Sequence, residues 1–136
     1  MDELKISAQV EKLNEVLAFV DERLERYDCP IKIQTQIDIA VEEIFVNIAN
    51  YAYTPETGDA TIKVGISEDP LEVTISFADS GVPYDPLAKE DPDITLPAEK
   101  RPIGGLGIYM VKKSMDNVEY EHKDGMNIFV IRKKLS

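Results

Sequence analysis

In "VEEIFVNIANYAY", residues 41–53, two glutamates and two asparagines interrupt an otherwise apolar helical pattern. At about 100° per residue, Gln36, Glu43, Asn47 and Asn50 fall together along one border of the apolar stripe, while Glu42 turns toward solvent. Glu43 and Asn47 are four residues apart and face the same way, so a carboxylate and an amide oxygen can reach one ligand. Both are hard oxygen donors, suited to polarising a hydroxyl or water and to holding Mg²⁺ beside substrate phosphates. A half-solvated helix edge would use the same residues.

Two further stretches carry the same ambiguity. In "LEVTISFADSGVPYDP" the residues Leu71, Val73, Ile75 and Phe77 alternate, and the two-residue period puts Asp79 on their inward face. An ionised carboxylate aimed at a core needs a hydrogen-bond donor, and the amino group of a bound base is one such donor. Gly81 lets the backbone approach a flat ligand, and Pro83 and Pro86 stiffen the exit. A strand that simply ends in an Asp-Ser-Gly turn would read the same way. "GGLG", residues 104–107, stands where a loop enters a helix, so free backbone N–H groups and the helix dipole can hold phosphate there. It is not a Walker A loop, lacking the Gly-Lys-Ser/Thr ending, nor a dinucleotide fingerprint, because it follows a Pro-rich loop instead of a strand. Those glycines would equally serve a loop that swings and a helix that starts.

Composition removes several alternatives. With one cysteine and one histidine, no Ser-His-Asp or Cys-His set, internal disulfide or multi-Cys zinc site can be assembled. Cys29 beside Pro30 reads as a turn residue, and His122 lies in phase with Val118 and Tyr120 on a strand. A formal net charge of −11 argues against neutralising nucleic-acid phosphates or resting on an anionic membrane. No apolar run approaches the ~20 residues of a membrane span, and the N-terminus has neither a basic start nor a long apolar core, so a cytoplasmic location is expected. A chain of 136 residues, 43% apolar, is expected to form one domain over residues 1–136.

The elements that must position these residues follow from periodicity. A short strand, "ELKISA", precedes a helix from about Val10 to Arg26, with Leu13, Val16, Leu17, Val20 and Leu24 at helical spacing. Cys29–Pro30 ends it, and a second long helix runs from Ile31 to about Tyr53 until Thr54–Pro55. Strands around Ile62–Ile66 and Leu71–Phe77 are joined as a hairpin through residues 67–70. Residues 80–103 show no period and hold five of the eight prolines, as a lid or binding loop would. A short helix from "GGLGIYMVKKSM" and two strands joined through Asp124–Gly125 complete an α/β two-layer sandwich, a mixed sheet covered by helices on one face.

In order along the chain, Glu43-x-x-x-Asn47, Asp79-x-Gly81-x-Pro83 and Gly105-x-Gly107 resemble the N, G1 and G2 boxes of the GHKL ATPase superfamily. "DSGVPYDP", "GGLGIYMVKKSMDNVEY" and "DGMNIFVIRKK" are similar to small anti-sigma-factor serine/threonine kinases of the RsbW type. The resemblance spans nearly the whole chain and implies the Bergerat, histidine-kinase-like ATPase fold, ATP and Mg²⁺ as cofactors, and an ATP lid at about 82–104. It implies Glu43 as general base, Asn47 as magnesium ligand and Asp79 as acceptor from the adenine amino group, with Gly81 beside the base. Gly104, Gly105, Leu106 and Gly107 would lie at the phosphates, and Asn50 and Asn127 near the nucleotide; Asn127 stands where the family often has threonine. The implied partners are a STAS-type anti-sigma-factor antagonist, a sigma factor and a second copy of the chain. The arginine that well-known members carry in the first helix is replaced by Leu13 or Asn14, with Lys12 and Arg23 the nearest cations. A non-catalytic, ATP-dependent partner-switching module is therefore the second reading.

Overall fold

Apolar residues at helical spacing and at every second strand position meet in one core. The computed structural model describes residues 1–88 and 106–136. Strand β1 (Asp2–Ser7) is followed by a 3-10 turn at Val10–Lys12 and helix α1 (Leu13–Glu25), then α2 (Ile31–Tyr51), β2 (Asp59–Ser67) and β3 (Glu72–Asp79). After a 3-10 turn at Pro86–Ala88 come α3 (Leu106–Ser114), β4 (Asn117–Lys123) and β5 (Met126–Lys134). Most of the lid expected at 82–104, including "KEDPDIT" and both Gly104 and Gly105, lies outside the described residues.

The five strands lie in the order β1-β2-β3-β5-β4. Every neighbouring pair is antiparallel, which corrects the mixed sheet expected from the sequence. The correction has a topological cause. β4 runs in the same direction as β3, as a helical crossover between them suggests, but β5 folds back through the Asp124–Gly125 hairpin and inserts between the two. Asp124 and Gly125 both take positive φ, 54° and 78°, the backbone that a tight two-residue hairpin requires.

Helices α1 and α2 bury Val16, Val20, Leu24, Ile37, Val41, Ile44 and Phe45 against Ile62, Val73, Ile75, Phe77 and Ile131 of the sheet. Burying each such side chain contributes about 1.5–3 kcal/mol. This packing fixes the rotation of α2 about its axis and so determines where its polar border points. Of the two cations nearest the expected helix-1 arginine, Arg23 bonds to Asp2 at 2.9 Å and lies over the Phe19 ring, while Lys12 pairs with Glu15.

Between α1 and α2 stands a pair of carboxyl groups. The Oδ1 atoms of Asp21 and Asp38 are buried without a partner among the described residues. A proton resolves the conflict: burial first, then a hydrogen bond to Asp21 and the charges of Asp21 and Glu25, push the Asp38 carboxyl up to about 8. A carboxyl with a raised folded-state pKa binds more protons when folded, so its stabilising effect is complete below the unfolded value and is lost as pH rises through the folded one. The chain is therefore expected to lose stability through this group between pH 3.8 and about 8. Asp38→Asn, which keeps a donor at this position at every pH, should flatten that dependence and raise the melting temperature at pH 8. Thermal melts of both proteins across this range check it; parallel pH profiles would contradict it.

Candidate functional site

The C-terminal half of α2, the end of β3, the start of β5 and the segment after Asp79 enclose a cavity. Its apolar walls include Ile48, Phe77, Ile108 and Phe129, and Tyr51, Val82 and Tyr84 stand exposed at its mouth. Asn47, Asp79 and Asn127 add amide and carboxylate groups to the lining, beside Tyr51, Tyr84 and Tyr120. A flat apolar slot with a few convergent polar groups is the form of site that small organic ligands use.

Asp79 is only 5% exposed, because the β3 period turns it inward with Val73, Ile75 and Phe77. Its Oδ1 accepts the Gly81 N–H at 2.9 Å and Asn127 Nδ2 at 2.9 Å. The first bond is the turn that the Asp-Ser-Gly sequence suggested, so the turn and the inward carboxylate coexist. Asp79 Oδ2 makes no hydrogen bond among the described residues, and Asp79 lines the cavity. Asn127, the register partner of Asp79 on β5, also donates to the Val82 carbonyl at 2.9 Å. Its Oδ1 accepts from the Tyr120 hydroxyl and the Tyr84 N–H.

On α2 the two adjacent glutamates differ as the helical wheel required. Glu42 is exposed and Glu43 half-buried, and desolvation, with a smaller contribution from the Glu42 charge, raises the Glu43 pKa above the usual glutamate value. A carboxylate held in this way is a stronger proton acceptor than one in water. Glu43 is not on the cavity wall; it faces Gly107 in the first turn of α3, where an added Cβ would overlap its carboxylate. Gly107 thus allows α3 to approach the acid. Asn47, one turn along, reaches the wall of the cavity. Asn50 is exposed and away from the wall, its carbonyl accepting the Thr54 hydroxyl. Leu106 is the first residue of α3. Among the described residues no group of three or more His, Cys, Asp or Glu could hold a metal, so a cation here would depend on Asn47 together with oxygens of a ligand. That donor set fits Mg²⁺, which keeps few protein ligands when it binds phosphates.

Gly81 has a different constraint from the one its sequence suggested. A Cβ there would collide with the Ala52 carbonyl, which accepts the Val82 N–H at 2.9 Å. The strand exit is thus fastened to the end of α2. Two tyrosines that sequence reasoning left unassigned also build the site. The Tyr53 hydroxyl donates to the Asp59 carbonyl at 2.7 Å and accepts the Ser80 N–H at 2.8 Å, while Tyr120 lines the cavity. The one signal for Tyr120 was its place in the inward phase of β4, where a hydroxyl must find a partner.

The histidine kinase-like ATPase domain model matches residues 6–133. The chain belongs to that family. Among curated proteins it is 37% identical over 98 residues to the serine-protein kinase RsbW of Bacillus cereus, covering 69% of this chain. It is 36% identical over 98 residues to RsbW of Bacillus mycoides, again over 69% of the chain. The match spans 60% of the length of each of these relatives. In fold, this histidine kinase-like ATPase domain is similar to the RsbU and RsbW domains of a Mycobacterium tuberculosis protein, with a TM-score of 0.66 and 16% identity over 99% of this chain and 33% of that one. It is also similar to a chain of the SiaB-SiaC complex from Pseudomonas aeruginosa, with a TM-score of 0.61 and 16% identity over 96% of this chain and 88% of that one. Helices on one face of an antiparallel sheet are the shared architecture. Across the described residues no helix is long and apolar enough to cross a membrane.

The contact between Gly81 and Ala52 has a direct consequence. Gly81→Ala should destabilise the domain by roughly 1–3 kcal/mol, because the new methyl meets backbone and not a movable side chain. Chemical denaturation measures this; an unchanged midpoint would show that the strand exit is not fastened as described.

Proposed function

We propose that the chain is an ATP-binding serine/threonine protein kinase whose substrate is a small STAS-type antagonist of an anti-sigma factor. The observation that carries the reading is Asp79: a buried carboxylate with one oxygen fully bonded and the other open to an apolar cavity. An acceptor-only group in such a slot suits the exocyclic amino group of adenine. Family membership, and relatives named serine-protein kinases, support it.

The proposed chemistry uses few side chains. Phe77, Ile48 and Phe129 hold the base and exclude water, and Asp79 Oδ2 accepts its amino group. Asn47 would hold Mg²⁺, which would neutralise phosphate charge when bound. Glu43 takes the proton of the attacking serine hydroxyl, and its raised pKa matches that task. Gly107, after Leu106 in the first turn of α3, would offer its backbone N–H to the phosphates in this reading, and Gly104 and Gly105 are assigned to the same role although they lie outside the described residues. Asn127 contributes by holding Asp79, and Asn50 lies outside the base pocket. Cytoplasmic action, a sigma factor as second partner and a homodimer belong to the same proposal.

One observation favours a second reading, an ATP-dependent partner-switching module without phosphoryl transfer. Arg23 is engaged with Asp2 and Phe19, and so does not stand in for a free helix-1 arginine. Labelled ATP, Mg²⁺ and a purified STAS-type antagonist domain separate the two. Wild type should transfer label, and its kcat/KM should rise with pH on a limb lying above the ordinary glutamate range, since Glu43 must be ionised to accept a proton. Glu43→Gln should lower transfer by about 10²–10⁴-fold, the usual worth of a general base. Equal transfer by both proteins would remove Glu43 from the mechanism, and ATP binding without transfer would establish the module.

A further inference from the structure

We propose that Lys133, at the end of α3 away from the cavity, is a positioning residue for the phosphate end of the nucleotide. The inference rests on the nucleotide reading and extends it to a residue outside the cavity lining.

The inward face of β5 runs Asn127, Phe129, Ile131 and Lys133, after which Leu135 is buried. A lysine in that phase aims a charge at the helix layer, where it needs an acceptor. Its Nζ donates to the Ser114 carbonyl at 2.7 Å. Ser114 is the last residue of α3, so this carbonyl has no partner within the helix and lies at the negative end of the helix dipole. Two bonds flank the contact: the Asp116 N–H donates to the Arg132 carbonyl at 2.9 Å, and the Lys134 N–H to the Asp116 carboxylate at 2.6 Å.

The inner face of α3 is buried through Ile108, Val111 and Met115, which sets its rotation. Apolar contact has no direction, however, and permits a helix to slide along its axis. The bond from Lys133 is directional and fixes that slide. At the other end of α3 there is no slack, since the Glu43 carboxylate already occupies the place that a Cβ on Gly107 would take. Ile108, in the first turn, lines the cavity, and among the described residues no lysine or arginine does. The positive end of the α3 dipole is therefore what a phosphate meets from this helix. The Lys133 charge offsets the opposite, negative end, about 13 Å away along a nine-residue helix. Both effects act on a phosphate, and neither acts on a base held in the apolar slot.

The test measures dissociation constants of Mg-ATP and of adenosine, which has the base and sugar without the phosphates, for wild type, Lys133→Met and Lys133→Arg. Lys133→Met, which keeps the apolar stem, should weaken Mg-ATP by about 3–10-fold and adenosine by less than about twofold. Lys133→Arg, which restores charge and donor, should return the ratio of the two constants to within about twofold of wild type. Equal weakening of both ligands by Lys133→Met would reduce Lys133 to a structural role and overturn the proposal, as would an unchanged affinity for Mg-ATP. Wild type that binds neither ligand would overturn the nucleotide reading and this inference with it, whereas wild type and variant that bind both ligands alike would overturn the inference alone. Should Lys133→Met fail to melt cooperatively, Lys133→Gln, which keeps a donor for the Ser114 carbonyl and loses the charge, takes its place: selective weakening of Mg-ATP supports the proposal, and equal or no weakening overturns it.

Discussion

The pairing of Asp79 with Asn127 across β3 and β5 is the interaction around which this domain's site is built. A carboxylate on the core face of a sheet is tolerated only where donors compensate its lost hydration. Asp79 finds two donors, one from its own turn and one from the neighbouring strand, and both converge on the same oxygen. The other oxygen is left to the cavity. The order β3-β5-β4 makes this pairing available, because only an inserted β5 puts Asn127 in register with Asp79. The topology that replaced the expected mixed sheet therefore also assembles the cavity.

The second half of the site lies on α2 and depends on the core beneath it. Ile37, Val41, Ile44 and Phe45 lock the helix against the sheet, and the same rotation carries Asn47 to the cavity wall and Glu43 toward α3. Gly81 and Gly107 act at the two ends of this arrangement by close approach and not by left-handed backbone. One brings the β3 exit onto the end of α2, the other brings α3 onto Glu43. The acid thus sits between two helices that both have to be in place for its partial desolvation, which is the larger cause of its raised pKa.

Much of this was legible in the sequence because it depends on local periods. The two-residue period of β3 carried Asp79 inward, and the helical period of α2 separated Glu42 from Glu43. What escaped were relations between segments distant in the chain. Strand order cannot be read from strand pattern, so the antiparallel insertion of β5 was invisible. The Tyr120–Asn127 bond joins residues seven apart across a hairpin, and the Asn127–Asp79 bond joins residues 48 apart. The raised pKa of Asp38 beside Asp21 is another case, since each residue alone reads as a solvated helix charge.

The claim on which the account turns is that Asp79 Oδ2 reads the amino group of a bound adenine. Calorimetric titration with Mg-ATP of wild type and Asp79→Asn, a near-isosteric change that puts an amide in place of the carboxylate, tests it most directly. Wild type should bind saturably and the variant should lose at least about tenfold in affinity, with native melting behaviour retained. Equal affinity of the two proteins for Mg-ATP would contradict it.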